Sequence, residues 1–172
     1  DLATPPAWDL QEIFPAARRT LATFYTAMYI ADIVVHTLHD RDPHPALFDH
    51  LLTALRTLGP ADQTPLALLR FQWAALTETG YRPELENDVL TGAPLVAAPT
   101  FAPRSGGFTA GTASPLWRVR SETVALLRAL DRPTAPPALA SDRANRLLAA
   151  YLREVLGRDL PAAAPLFGDL RV

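Results

Sequence analysis

The sequence predicts a mainly α-helical protein: a bundle-like domain of five helices with a small irregular or β-hairpin lobe between helices 3 and 4. Apolar residues recur every three or four positions in five segments, which is the period of helices that bury one face. This period disappears over residues 81–113, which we assign to the lobe, and residues 1–80 and 114–172 form the helical core and its tail. With 172 residues, of which 49% are hydrophobic, the chain is long enough for one main core.

The first three helices are predicted from their apolar stripes and from the residues at their ends. Helix 1 is predicted over Pro15–His39, since no proline or glycine lies inside that segment. Pro45 suits the first turn of helix 2 and Gly59 ends it, whereas Thr64 caps helix 3 and Gly80 ends that helix. We expect the apolar stripe of helix 1 to lie in the core; it comprises Leu21, Phe24, Tyr25, Met28, Tyr29, Ile33, Val34, Val35 and Leu38.

The last two helices are predicted from hydroxyl caps. Ser114, followed by a proline, caps helix 4, and a proline-rich connector over residues 132–137 separates this helix from the next. Ser141 caps helix 5 and Gly157 ends it. The segment after Gly157 has two prolines and no period, so we expect it to wrap over the core or to lie loose.

Composition excludes several functional classes. The chain has no cysteine, which rules out disulfides, thiolate catalysis and cysteine-ligated metal sites. No apolar stretch is long enough to cross a membrane, and no signal pattern is present. We therefore expect a cytoplasmic location without a membrane partner. The chain begins at Asp1 and not at methionine, so we expect the natural amino terminus to lie upstream.

Charge is distributed unevenly along the chain. The formal net charge is −2, but residues 1–101 carry six arginines against twelve acidic residues and residues 102–172 carry ten against six. The two parts therefore differ in net charge, −6 against +4, and a partner that carries phosphates would prefer the second part. The alternative is that the arginines are scattered over solvated helix faces.

The four histidines lie within fifteen residues, at His36, His39, His44 and His50, beside several aspartates. Two imidazoles and a carboxylate on one helix face could approach a zinc ion. However, a proline break separates the histidines, and no motif of the HExxH type supplies a general base. We interpret these residues as polar helix ends, and a metal-dependent enzyme at the histidines stays a minor alternative.

The segment after helix 3 reads GYRPELENDVLTG, residues 80–92. It resembles the carboxy-terminal region of the RecO family, in which a helix ends in a Gly-Tyr-x-Pro-x-Leu segment and leads into a zinc knuckle. The matching residues are Gly80, Tyr81, Pro83 and Leu85, followed by Gly92, Phe101, Gly106 and Gly107. The four cysteine positions of the family are occupied by Asp88, Thr91, Ala110 and Ala113.

The resemblance therefore implies a degenerate lobe without structural zinc, since one carboxylate and one hydroxyl do not make four good ligands. We expect apolar contacts to hold the lobe in place of the metal. The residues expected to make them are Leu85, Val89, Leu90, Leu95, Val96 and Phe101.

Three further segments extend the resemblance over most of the chain. Residues 27–32 are similar to the family's Ala-x-Tyr-x-x-Glu, with Asp32 for the glutamate. Residues 42–48 resemble its D-P-x-P-x-L-F, and residues 151–158 resemble its Y-L-x-x-x-L-G-R. The resemblance implies a helical domain that an OB-fold domain normally precedes, and we expect no OB-fold domain within residues 1–172.

The resemblance also implies a function, which is not enzymatic and needs no cofactor. RecO-like proteins bind single- and double-stranded DNA, anneal strands, contact the acidic tail of single-stranded-DNA-binding protein, and act with RecR to load RecA. A nucleoid-associated location follows from that. The candidate binding residues are Arg118, Arg120, Arg128, Arg143 and Arg146, because arginine grips phosphates and carboxylates with two parallel bonds. The alternative function is an α-helical protein-interaction scaffold without DNA activity.

Overall fold

Six α-helices and a three-stranded sheet occupy the part of the chain that the computed structural model describes, residues 9–95, 100–112, 116–130 and 138–170. The helices are α1 (Leu21–Thr37), α2 (Pro45–Thr57), α3 (Thr64–Glu78), α4 (Ser121–Ala129), α5 (Ala138–Leu156) and α6 (Ala163–Phe167). The strands are β1 (Thr100–Ala102), β2 (Gly107–Thr109) and β3 (Trp117–Arg118). The predicted class, mainly α with a small lobe between helices 3 and 4, is confirmed.

Helix α3 lies at the centre of the bundle and packs against α1, α2 and α5. A helix in that position must be apolar on nearly all sides, and α3 is buried from Phe71 to Leu76 without a break. Leu69, Ala75 and Leu76 have no exposed surface at all. No helix in the described ranges is long and apolar enough to cross a membrane.

A chain of buried polar side chains links α1, α3 and α5. The Tyr29 hydroxyl donates to Gln72 Oε1 (3.4 Å), and Gln72 Nε2 donates to Asn145 Oδ1 (2.7 Å). Asn145 Nδ2 in turn donates to the carbonyl oxygen of Pro65 (2.8 Å). Burial raises the pKa of Tyr29 above its ordinary value, with a smaller effect of the Asp32 charge. Each partner satisfies the next, so the network fixes the mutual register of the three helices.

Replacing Gln72 by leucine should lower the free energy of unfolding by about 1–3 kcal/mol, because the Asn145 amide oxygen and the Tyr29 hydroxyl would then be buried without their partner. Urea denaturation measures this change. Gln63→Leu is the matched control, since Gln63 is exposed. If the two variants have the same midpoint, the network does not stabilise the bundle.

Helix α1 is shorter than the predicted helix 1. A separate 3₁₀ turn covers Pro15–Arg18, and Thr20 then caps α1. The Thr20 hydroxyl accepts from the Thr23 N–H (3.1 Å), and the Thr23 hydroxyl accepts from the Thr20 N–H (3.2 Å). This reciprocal capping starts the helix at Leu21, since it satisfies two amides at the amino-terminal end of the helix.

The buried face of α1 differs from the predicted stripe. The expectation that Met28 and Val35 belong to the core is wrong, because they are 44% and 72% exposed, and Tyr25 is only half-buried. The stripe also included Leu21 and Phe24, which are exposed. The face against the bundle consists of Thr23, Thr26, Tyr29, Ile30 and Ile33. Apolar residues lie on both sides of this helix, and two of the buried positions are threonines whose hydroxyls bond backbone carbonyls.

The starts of α4 and α5 also differ from prediction. The proposed cap Ser114 lies outside the described residues, and α4 begins only at Ser121, after strand β3. Ser141 does not cap α5; it is fully buried inside the helix, which begins at Ala138. The three residues before Ser141 are Ala, Leu and Ala, which are strong helix formers and extend the helix by nearly a turn. Gly157 ends α5 as predicted, with a positive φ of 64°.

The lobe is a small antiparallel sheet with the order β2-β1-β3. Phe101 of β1 lies opposite Phe108 of β2 and Trp117 of β3. Its fully buried ring packs on Phe108, Trp117 and Tyr151, with ring centroids 5.1, 5.5 and 5.1 Å away. Tyr151 belongs to α5, so the lobe and the helices share one core. The third strand also lies beyond residue 113, where the predicted lobe ended.

The tail after α5 wraps over the bundle. The Ala162 N–H donates to Asp32 Oδ2 (2.7 Å), and the Phe167 ring of α6 packs edge-on against Tyr29, with the centroids 5.2 Å apart. Both anchors on α1 belong to the segment that resembles Ala-x-Tyr-x-x-Glu. Tyr29 and Asp32 therefore have structural roles in this chain.

Candidate functional site

Four of the five predicted arginines line one shallow pocket of about 220 Å³. Arg118 is the last residue of β3 and Arg120 immediately precedes α4, whereas Arg143 and Arg146 come from α5. We call it the arginine pocket; it is lined by Arg118, Val119, Arg120, Thr123, Arg143, Arg146, Leu147 and Leu170. Residues far apart in sequence meet here because α4 packs on α5.

The floor of the arginine pocket is apolar and its rim is cationic. Leu147 and Leu170 are buried, at 4% and 6% exposure, whereas all four arginines are exposed. Arg143 and Arg146 are three residues apart and therefore project from the same side of α5. Arg120 is the N-cap residue of α4, so the partial positive charge of the helix amino terminus adds to the rim.

One carboxylate offsets part of this charge. Glu122 Oε2 lies 3.6 Å from Arg143 Nη1, and both side chains are substantially exposed. Such an exposed pair contributes little to stability and is exchanged readily for another anion. The other three arginines of the pocket make no ion pair within the described part of the chain. The pocket therefore suits an anionic group attached to an apolar one.

Arg128 lies apart from the arginine pocket. Its Nε donates to the carbonyl oxygen of Leu85 (3.2 Å), and the same nitrogen lies 3.5 Å from Glu86 Oε1. Arg128 thus connects α4 to the start of the lobe through a hydrogen bond and an ion pair. The structure does not bring this predicted binding residue together with the other four.

The carboxylate of Asp88 joins the two turns at which the family has its cysteine pairs. Its Oδ1 accepts from the N–H groups of Leu90 (2.9 Å) and Thr91 (3.1 Å). Its Oδ2 accepts from the Thr109 hydroxyl (2.9 Å) and from the Ala110 N–H (2.8 Å). One buried side chain, 5% exposed, therefore connects residues on both sides of the lobe. We call this set of four hydrogen bonds the Asp88 bridge.

The Asp88 bridge also determines the charge of the carboxyl group. The hydrogen bond from Ala110, followed by those from Leu90, Thr109 and Thr91, lowers the pKa of Asp88 to about 2, against an opposing effect of desolvation. The group is thus ionised at neutral pH and can accept all four bonds.

Zinc does not fit the degenerate positions. The oxygens of Asp88 are already bonded to protein donors, Thr91 contributes an N–H to the bridge, and Ala110 has no ligand atom. Ala113 lies outside the described residues. A carboxylate with hydrogen-bond donors from both turns thus connects the two turns that the metal connects in the family.

The expected apolar contacts of the lobe are borne out only in part. Leu85 and Phe101 are buried and Leu95 packs against the core. Leu90 is 53% exposed, so its predicted role in the core is wrong, and Val96 lies outside the described residues. The Asp88 bridge was not predicted, although Asp88-Val-Leu-Thr-Gly92 carries the signature of an aspartate that bonds the backbone of its own turn.

The histidines do not converge on a common point. His36 Nδ1 lies 2.8 Å from the carbonyl oxygen of Asp32, and His44 Nε2 lies 3.2 Å from Asp42 Oδ2. Within the described ranges, no group of three or more His, Asp or Glu side chains is placed to hold a metal ion. His44 instead precedes Pro45 at the start of α2, in the corner between two helices.

Comparison with known proteins assigns the chain to a family. The family model described as recombination protein O, C terminal, matches residues 18–164. The chain belongs to the RecO family. The resemblance inferred from the sequence motifs is thereby confirmed.

Two relatives cover most of the chain. The DNA repair protein RecO of Halorhodospira halophila is 32% identical over 145 residues, which are 83% of this chain and 61% of the relative. The DNA repair protein RecO of Anaeromyxobacter sp. (strain K) is 31% identical over 165 residues, which are 87% of this chain and 63% of the relative. The chain spans about three fifths of the length of these RecO proteins. No solved structure matches the chain.

Proposed function

We propose that the chain acts in DNA repair as a RecO-type mediator that binds DNA through the arginine pocket. The proposal is supported by membership of the RecO family and by relatives named DNA repair proteins. The observation that carries it is the convergence of four arginines from two separate segments on one pocket. The role is one of binding and not of catalysis.

The arginine pocket suits phosphates because of its local charge. The chain as a whole carries −2, so its general field does not attract nucleic acid. Four exposed guanidinium groups against one carboxylate form a local positive patch, and each can bond a phosphate through two N–H groups. Contacts of this kind do not depend on sequence, so single- and double-stranded DNA are both expected to bind.

The same pocket also suits an acidic peptide that ends in an apolar residue, such as the tail of single-stranded-DNA-binding protein. Val119, Leu147 and Leu170 provide an apolar floor, and the arginines lie around it. The proposed role also includes strand annealing and, together with RecR, the loading of RecA. We propose these two activities for a full-length protein of the size of the RecO relatives.

Replacing Arg118, Arg120 and Arg146 together by glutamine should weaken DNA binding and make it less sensitive to salt. The slope of log affinity against log salt should shrink by up to about 0.9 for each lost phosphate contact on duplex DNA, and by about 0.7 on single strands. Fluorescence anisotropy at several salt concentrations gives both the affinity and the slope. The same titration with a labelled acidic peptide ending in phenylalanine tests whether the arginine pocket also binds an acidic peptide with an apolar end.

The matched control replaces Arg18, Arg19 and Arg70, three exposed arginines of the acidic first part, by glutamine. It removes the same charge and should leave the slope unchanged. If the pocket variant keeps the slope of the unaltered chain, the arginines are merely solvated. If the unaltered chain binds no DNA even at low salt, the alternative function, a protein-interaction scaffold, replaces this proposal.

A further inference from the structure

A second pocket, of about 540 Å³, lies where the lobe meets the carboxy-terminal half of α5. We call it the seam pocket. Its walls come from the segment that follows α3, from the 3₁₀ turn Pro103–Ser105 between β1 and β2, and from α5. The polar side chains that line it are Tyr81, Arg82, Arg104, Ser105, Tyr151 and Glu154. None of them belongs to the arginine pocket.

The Tyr151 hydroxyl lines this pocket although its ring is buried. The residue is only 3% exposed, and its ring packs edge-on against Phe101 at 5.1 Å. A Cβ atom placed on Gly106 would lie 3.1 Å from the hydroxyl oxygen, which locates the oxygen beside the hairpin turn. Among the described residues every buried side-chain nitrogen or oxygen has a hydrogen-bond partner, and this hydroxyl bonds none of them, so its oxygen is open to the pocket. A ligand in the pocket can therefore accept its hydrogen bond in place of solvent.

Two arginines line the same pocket. The Arg104 side chain is 79% exposed and has only a loose ion pair, 3.9 Å from Nε to Glu154 Oε1. Arg82 lies with its guanidinium carbon 5.0 Å from the centre of the Trp73 ring, which holds this cation in place. Glu154 is the one acidic side chain that lines the pocket in the described part of the chain. Arg104, whose ion pair is loose, is therefore the cation of this pocket that a ligand can recruit, and the Tyr151 hydroxyl lines the same pocket.

An exposed aromatic ring completes the arrangement. Tyr81 directly follows the glycine that ends α3, and it is 51% exposed. Aromatic rings at such positions stack on unpaired bases, whatever the base, whereas the bases of a duplex are already stacked on one another. A ring beside cations and a hydroxyl donor matches the chemistry of a nucleotide in a single strand.

We propose that the seam pocket binds one phosphodiester of single-stranded DNA, with Tyr151 and Arg104 on the phosphate oxygens and Tyr81 against the neighbouring base. The proposal rests on the proposed function, because it assumes that the chain binds DNA. Arg143 of the arginine pocket and Tyr151 are eight residues apart on α5, which is about 12 Å along the helix axis. At a rise of about 3.4 Å or more per nucleotide, a strand of at most about four nucleotides spans that distance.

The test measures the affinity of single-residue variants for a labelled oligothymidine and for a duplex of the same length. Tyr151→Phe removes the hydroxyl and keeps the packed ring, and it should weaken single-strand binding about tenfold, the loss of one hydrogen bond to a charged group. Tyr81→Leu should weaken single-strand binding about fivefold or more and leave duplex binding unchanged. Tyr81→Phe, which retains the ring, should bind as the unaltered chain does.

Tyr25→Phe is the control for hydroxyl removal, since Tyr25 lies in α1, outside the pocket, and is half-buried. Thermal melting followed by circular dichroism checks that Tyr151→Phe folds. A parallel titration with inorganic phosphate, followed by the fluorescence of the chain, separates a free anion from a nucleic-acid strand.

The outcomes distinguish this proposal from the proposed function. If the arginine-pocket variant loses DNA affinity while Tyr151→Phe and Tyr81→Leu bind normally, the seam pocket is refuted and the proposed function stands. If Tyr151→Phe weakens phosphate binding but neither variant weakens oligothymidine binding, the pocket takes a free phosphate and not a strand. If the unaltered chain binds no DNA, both proposals fail.

Discussion

Phe101→Ala should lower the free energy of unfolding by about 3–5 kcal/mol, the cost of removing a large aromatic side chain from a well-packed core. Phe101 has no exposed surface and contacts one ring on each neighbouring strand and one ring of α5. The loss therefore affects the contact between the lobe and the helices as well as the sheet itself. Urea denaturation followed by tryptophan fluorescence measures it, since Trp117 lies against the deleted ring.

Phe48→Ala is the matched control, because it deletes the same side chain from α2 at a position that is 58% exposed. It should change the free energy of unfolding by less than about 1 kcal/mol. Equal effects of the two substitutions would mean that Phe101 does not connect the lobe to the helices.

Asp88→Asn should destabilise the lobe selectively. The asparagine keeps the size of the side chain, but its amide nitrogen cannot accept the bonds that Oδ2 accepts from Thr109 and the Ala110 N–H. The Ala110 N–H would then face an N–H group in place of an acceptor, and the hydrogen bonds between the two turns would be weakened. Amide hydrogen exchange should become faster at Leu90, Thr91 and Ala110, whereas the amides of α3 should keep their protection.

The difference in stability between the unaltered chain and Asp88→Asn should depend on pH. The folded-state pKa of about 2 lies below the ordinary value of 3.8, so the bridge stabilises the fold fully above pH 3.8. That stabilisation is lost as the pH falls from about 3.8 through 2, because the carboxylate becomes protonated. The two melting temperatures should therefore converge over this range.

Asp62→Asn is the control for the pH experiment, since Asp62 is exposed and lies outside the lobe. This variant should follow the unaltered chain at every pH. A gap between the unaltered chain and Asp88→Asn that stays constant from pH 7 to 2 would contradict the bridge. Addition of a chelator should change neither protein.

Much of the helical fold was predictable because its signals are local. The proline and glycine signals at Pro45, Gly59 and Gly80 mark helix ends in the structure as they do in the sequence. A proline in the first helical turn and a glycine after the last one act through their own backbone angles, so tertiary packing does not override them. The position of the lobe was predictable for the same reason, since the loss of period over residues 81–113 is itself a local feature.

The buried face of α1 was not predictable from the period alone. Leu21, Phe24, Met28 and Val35 are as apolar as the buried residues, and the structure leaves them exposed. Thr23 and Thr26 are buried because their hydroxyls bond carbonyls of the preceding turn and leave a methyl group toward the core. Which of two apolar faces meets α3 depends on the connections between the helices, and periodicity does not encode them.

The residue types of the candidate sites could be predicted from the sequence, but the contacts that these residues make in the fold could not. The excess of arginine after residue 101 indicated the cationic part, and the structure brings four of the five chosen residues to one pocket. Arg128 bonds the carbonyl of Leu85, 43 residues earlier in the chain, and no local pattern signals that contact. The seam pocket was missed because its parts, Tyr81, Arg104 and Tyr151, come from three separate segments.

The Asp88 bridge has a consequence for the conditions under which this lobe keeps its fold. A zinc knuckle opens when its thiolates are oxidised or when its metal is withdrawn, so its integrity depends on cellular redox state and metal supply. The bridge is made of a carboxylate, amides and a hydroxyl, and the whole chain contains no cysteine. Peroxide has no thiol to attack here, and the bridge itself contains no metal ion. The hydrogen bonds that join the two turns are therefore insensitive to thiol oxidation and to metal withdrawal, the two events that open a cysteine-ligated knuckle.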